Sequence, residues 1–199
     1  MVDDREPAAR RPGGRTARVR AQVLDATVRL VARYGFAGFR YEQVAELAGV
    51  HRMTVYRNWP DREKLVAAAL TRFGEQEVPV PDSGELRRDL VDMLLGLAAG
   101  LESTTGRALF QVVQGARENE EVRRTVEQVF QRRADLFGQR VDRAVERGEL
   151  PPVDRRLLGD LLSGPVHLRV GRDLGPVTRA DAERIVDVVL AGIRATATP

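Results

Sequence analysis

At 199 residues, with 43% apolar and 31% charged side chains, the chain has the composition of an ordinary globular protein holding one large domain or two smaller ones. It has no cysteine and only two histidines, His51 and His167, which excludes disulfides, thiolate nucleophiles and cysteine-built zinc sites, and no HExxH pair offers a metal site; no metal or cofactor is expected. The net charge of +3 is uneven, since residues 8–75 carry 13 basic against 6 acidic side chains while residues 76–199 carry 18 against 20, a pattern that suggests a polyanion-facing front on a near-neutral back.

The opening MVDDREPAARRPGGR is charged and has no apolar core, so it does not read as a signal peptide. The longest charge-free run near the middle, residues 93–101, is far short of the roughly 20 residues a membrane span needs. A cytoplasmic protein without membrane contact is expected. Residues 1–14 are rich in Arg, Pro, Gly and Ala without periodicity and read as a disordered basic tail.

From Thr16 a helical period runs through Ala17, Val23, Leu24, Val28, Val31 and Tyr34 to Gly35. Short helices are expected at about 41–48 and 52–58. Trp59-Pro60-Asp61 then breaks the chain, and Asp61 is placed to cap a fourth helix reaching about Gly74, with Glu63 in its first turn. Residues 76–83, with prolines at 79 and 81, read as a hinge between a module at 15–75 and another at 84–199. In the second module Leu86, Leu90, Met93, Leu94, Leu97 and Leu101 share one helix face, and a further segment surrounds Leu109, Phe110 and Val113. A longer helix carries Val122, Val126, Val129, Phe130, Phe137, Val141 and Val145 to Gly148, with Pro151-Pro152 beyond. Two more follow, at about 154–172, interrupted by Gly164-Pro165, and at about 178–195, opened by Thr178 with Asp181 three residues on. The fold class is all-α, with about nine helices.

The chemistry concentrates at VAELAGVHRMTVYRNW, residues 44–59. Two helices that cross closely need a small residue where they meet, which Ala45 provides, and a turn residue that tolerates positive φ, which Gly49 provides. Val50 pins the turn, and Val44, Leu47, Ala48 and Val55 complete a small core. The other face of the third helix offers His51, Arg52, Thr54, Tyr56 and Arg57, all able to donate to phosphates or base edges. This is the pattern of a helix-turn-helix, with an αα-hairpin lacking a nucleic-acid role as the plain structural alternative.

The run AGVHRMTVYRNWPDREKL resembles the signature of the TetR family of transcriptional regulators, and the similarity extends upstream through Gly35-Phe36 and downstream through RGELPP, LLSGPVHLRV and IVDVVLAGI. The resemblance implies that His51 and Tyr56 contact phosphates, that Thr54 contacts a phosphate or base, and that Arg52, Met53 and Arg57 lie over the groove. It also places Arg62 where the family usually has a phosphate-binding lysine. His51 stands where Ser is common, Met53 where a small residue is common, and Arg40 where a Thr usually caps the second helix. Arg40 therefore implies either a weaker cap or an added phosphate contact. Trp59 reads as core packing.

For the second module the resemblance implies an effector-binding and dimerisation domain. Met93, Leu97, Phe110, Gln114, Phe130 and Phe137 are the expected effector residues, and Leu158, Leu162, Val166, Val186, Val189 and Ile193 the expected dimer interface. The implied function is a homodimeric regulator, a repressor, that binds a palindromic double-stranded DNA operator and is released by a small-molecule effector of unknown identity. The alternative is a helix-turn-helix activator or architectural binder without a ligand. With no nucleophile–base constellation, no enzyme is expected.

Overall fold

The computed structural model describes residues 13–77, 79–115 and 120–196. Nine α-helices and no strand occur among the described residues, as the periodicity predicts. They are α1 (Gly13–Tyr34), α2 (Tyr41–Ala48), α3 (Arg52–Asn58), α4 (Arg62–Glu77), α5 (Leu86–Glu102), α6 (Thr104–Gly115), α7 (Glu120–Glu146), α8 (Arg155–Gly171) and α9 (Arg179–Thr196). The basic tail expected at 1–14 falls outside the described residues up to position 12, and Gly13 and Gly14 are already helical. No described helix is long and apolar enough to cross a membrane.

Two apolar clusters organise the chain. The first gathers Val23, Leu24 and Val31 of α1 with Val44, Val55, Trp59, Leu65 and Ala69 from α2 to α4 and the turn between them. Leu109 of α6 is buried in this same cluster, and Val112 and Val129 pack on it, so the front module rests on α6 and α7. The second cluster joins Leu90 and Leu94 of α5, Phe137 and Val141 of α7, Leu158, Leu162 and Val166 of α8, and Val186 and Leu190 of α9.

α8 runs unbroken through Pro165, where an interruption is expected from the sequence. A proline removes one backbone donor and crowds one carbonyl. Here Leu162 and Val166, both fully buried, fix the helix on either side of it.

The connector between the clusters is tied down at its second half. Asp82 lies 3.3, 2.7 and 2.9 Å from Arg140, Arg143 and Arg147, which rise along α7 and just beyond its end. Arg140, 1% exposed, also pairs with the 2% exposed Asp89 at 2.7 Å and with Glu149 at 3.5 Å. Ser83 donates its N–H and hydroxyl to Asp89, and Leu86 donates its N–H to Glu149. The stretch expected as a hinge is thus gripped from residue 82 onward.

Candidate nucleic-acid interface

Gly49 adopts the left-handed conformation the turn needs, with φ 64° and ψ 37°. Its N–H donates to Glu46 and that of Val50 to Ala45, which closes α2 and frees the chain to reverse. Val44 and Val55 are fully buried, Ala45 is 4% exposed, and Val50 is partly buried against the same cluster. Leu47 is the exception to the expected core: it sits beside the buried stripe and is 48% exposed.

These contacts turn the opposite side of α3 outward. His51, Arg52, Met53, Tyr56 and Arg57 are exposed and Thr54 is half-buried. Met53, at 58%, is among the most exposed apolar side chains described. An α-helix with its side chains is roughly 10–12 Å across, a fit to a major groove about 12 Å wide.

His51 does double duty as the N-cap of α3, with Nδ1 accepting the Met53 N–H at 3.3 Å. Nε2 is the ring nitrogen left to donate to a phosphate oxygen. Arg40 precedes α2 and is exposed; a guanidinium has no acceptor and cannot cap first-turn N–H groups. Gln43 supplies the other half of a capping box by accepting the Arg40 N–H at 2.8 Å. Asp61 caps α4 as the sequence predicts, accepting the Glu63 N–H at 2.9 Å.

Two of the expected phosphate donors are held by the protein itself. The Tyr56 hydroxyl donates to Glu42 at 3.1 Å, and its ring lies 4.8 Å from that of Tyr41. The Glu42 bond pushes the Tyr56 phenol above its ordinary pKa, while the Glu42 carboxyl is lowered by its own backbone N–H and the Tyr56 hydroxyl. The guanidinium of Arg62 donates to the Ala37 carbonyl at 2.9 Å and covers the Phe39 ring. Sequence patterning does not reveal these tethers, because the partners are 14 and 25 residues away.

Comparison with known proteins agrees with this geometry. Residues 23–69 match the model for bacterial regulatory proteins of the tetR family. Residues 80–189, more than half the chain, match the model for a Tetracyclin repressor-like C-terminal domain. The chain belongs to the TetR family of helix-turn-helix transcriptional regulators.

Among TetR-family relatives, it is 29% identical over 192 residues to the HTH-type transcriptional regulator AqdR of Rhodococcus erythropolis, covering 96% of this chain and 93% of AqdR. It is 31% identical over 180 residues to the DNA-binding transcriptional repressor TetR of Mycobacteroides abscessus, covering 85% and 90%. The crystal structure of the TetR family transcription regulator SCO0332 superposes with a TM-score of 0.71 at 29% identity, over 91% of this chain and 99% of that one.

Within this TetR-family body the six expected effector residues are divided between core and surface. Met93 and Phe137 are each 8% exposed in the second cluster, and Leu97 packs on it. Phe110 stacks on His167 with ring centroids 6.4 Å apart. Gln114 is exposed, and Phe130 is 55% exposed on α7. A cleft of about 110 Å³ lies between the α5–α6 junction and the end of α8, lined by Glu102, Arg107, Arg169 and Pro176 among others. Another of about 200 Å³ lies between α1, α4 and α6, lined by Asp25, Val28, Arg29, Phe73, Gln76 and Thr105. Neither includes any of the six.

Of the expected dimer residues, four are buried within the chain itself and two are half-buried. Leu158, Leu162, Val166 and Val186 are all 0% exposed within this one chain, and Val189 and Ile193 pack against the same cluster. The apolar surface left outward is a different stripe, with Leu157, Leu161 and Leu168 on α8 exposed by 50, 44 and 51% and Val188 on α9 by 67%.

Proposed function

We propose that this TetR-family regulator works in the cytoplasm as a homodimeric repressor, with two α3 helices seated in successive major grooves of a palindromic operator. The observation that carries the reading is the exposed surface of α3, where His51, Arg52, Met53, Tyr56 and Arg57 reach solvent around a fully buried Val55. A helix fixed on one side and hydrogen-bonding on the other suits base and phosphate contact. The repressor named in M. abscessus supports the sign of regulation. Arg52, Met53 and Arg57 read the groove, while His51, Thr54, Tyr56 and, after leaving Ala37, Arg62 hold phosphates; Arg40 adds a contact at the start of α2.

The stripe Leu157–Leu161–Leu168 with Val188 is the surface through which two copies pair, since helices bearing a second apolar face bury it against a two-fold mate. A small-molecule effector in the module from residue 84 onward would act by changing the spacing of the two heads. Leu109 and Val129, which reach into the head cluster from α6 and α7, supply the mechanical link.

Selection of bound fragments from genomic DNA tests the first part: recovered sites should share an inverted repeat. Sedimentation tests the second, where the protein should run as a dimer and Leu161→Glu as a monomer. Recovery of no common sequence, or a dimer indifferent to Leu161→Glu, would refute the corresponding part.

A further inference from the structure

α1 begins at Gly13, yet its first fully buried side chain is Val23, and residues 14–18 are all exposed. The first turns therefore overhang the head core, by about 6 Å between positions 14 and 18 at 1.5 Å per residue, before Val19 and Ala21 become half-buried. The overhang and the turn after it carry Arg15, Arg18 and Arg20 with no acidic residue. None of the three pairs with a carboxylate among the described residues.

Arg20 shows where the overhang lies. Its guanidinium sits 5.1 Å from the centroid of the Trp59 ring. Trp59 is the C-cap of α3, its N–H donating to the Val55 carbonyl at 2.9 Å. The overhang is thus continuous with the last turn of the recognition helix. A guanidinium stacked on an indole face has given up part of its rotamer freedom while keeping its charge and its N–H fork, so it is preorganised for a phosphate.

We propose that Arg20, with Arg15 and Arg18 on the turns before it, forms a second phosphate-binding edge. It carries DNA binding beyond the helix-turn-helix onto the backbone flanking each half-site. The occupant is the duplex already bound by α3, as continuity with that helix and charge complementarity both require. The edge is indifferent to sequence, because it reaches the backbone and not base edges. The inference rests on the DNA-binding reading of α3.

The test compares the wild type with the Arg15→Gln, Arg18→Gln, Arg20→Gln triple variant on a random-sequence duplex several helical turns long, measured across a salt series. Removing one phosphate-neutralising arginine should reduce the slope of log K against log salt by roughly 0.9, so the triple variant should fall short of the wild type by up to about 2.7 per protomer. Hydroxyl-radical footprints on a fragment selected from genomic DNA should shorten at their outer edges, while the fragments selected stay the same. Arg20→Lys, which keeps the charge, should retain the slope.

An unchanged slope and footprint in the triple variant would overturn the proposal. A lower melting temperature with an unchanged slope would do so too, assigning Arg20 to the fold alone. Failure of the wild type to bind any duplex would instead sink the reading of α3.

Discussion

In the first three helices and their turns, Arg15, Arg18, Arg20, Arg29, Arg33, Arg40, Arg52 and Arg57 reach solvent with no carboxylate partner among the described residues. In the helices of the body the same side chain is mostly satisfied. Arg87 meets Asp187 at 2.6 Å, Arg123 meets Glu120 and Glu127, Arg155 meets Asp142, and Arg140, Arg143 and Arg147 converge on Asp82. An arginine closed on a carboxylate contributes little field at a distance, whereas one left open attracts a polyanion. Net charge therefore understates the contrast. The head's positive potential comes from arginines not closed on a carboxylate, and the body's arginines act as internal ties.

The strongest way to break that contrast is to remove one arginine from each class. Arg140→Met should destabilise the body by about 3–5 kcal/mol, since Asp89 would be left buried without its countercharge. The melting temperature should fall on the order of 10 °C. Acid should attack the same cluster. Burial alone would raise the Asp89 carboxyl, but the Ser83 hydroxyl and N–H and the Arg140 guanidinium outweigh it and hold the group below its usual value. The Arg147 hydrogen bond does the same for Asp82. With both folded values depressed, the unfolded chain takes up protons first as pH falls. The cluster's contribution is complete at neutral pH and disappears as pH drops through and below the ordinary carboxylate range. A melting series should show this acid sensitivity in the wild type and a shallower one in Asp82→Asn; identical profiles would count against the cluster as a tie.

The head counterpart is Arg52→Ala. It should leave the melting temperature within the equivalent of about 0.5 kcal/mol, as for other exposed sites. It should also relax or change the preferred base at one operator position, worth about 1–3 kcal/mol of discrimination. Met53→Ala should behave similarly at a neighbouring position. Selected fragments that keep the wild-type sequence preference in both variants would remove α3 from direct readout.

The two regions also differ in how far sequence alone specifies them. In the head, steric rules act within a few residues: a left-handed turn needs Gly49, a close crossing needs Ala45, and a cap needs Asp61, so local spacing is enough. In the body, α8 carries two apolar stripes, Leu158–Leu162–Val166 and Leu157–Leu161–Leu168, and periodicity cannot say which one meets the chain's own core. The structure answers that the first does. The effector residues are unreadable for a related reason, since Met93 and Phe137 are equally suited to lining a cavity and to filling a core, and here they fill it. Long-range ties such as Arg20 over Trp59 and Tyr56 on Glu42 depend on tertiary placement that no window of sequence contains.

Glu42 gives the smallest expected effect and the sharpest test of the contrast, because among the described residues it is the one carboxylate tied to an expected phosphate donor of α3. Its oxygen holds the Tyr56 hydroxyl at 3.1 Å, so a phosphate must displace that bond and also approach a negative charge. Glu42→Gln removes the charge and leaves a neutral acceptor that Tyr56 can abandon more easily. Binding to all DNA sequences should tighten by about two- to fivefold, the scale expected when one hydrogen bond is exchanged for another. Sequence preference should not move, since a phosphate contact carries none. Adding Tyr56→Phe should abolish the gain if it flows through the phenol. A gain that persists in the double variant would mean that Glu42 acts only through its charge, with Tyr56 remaining a partner of Tyr41 in the bound state.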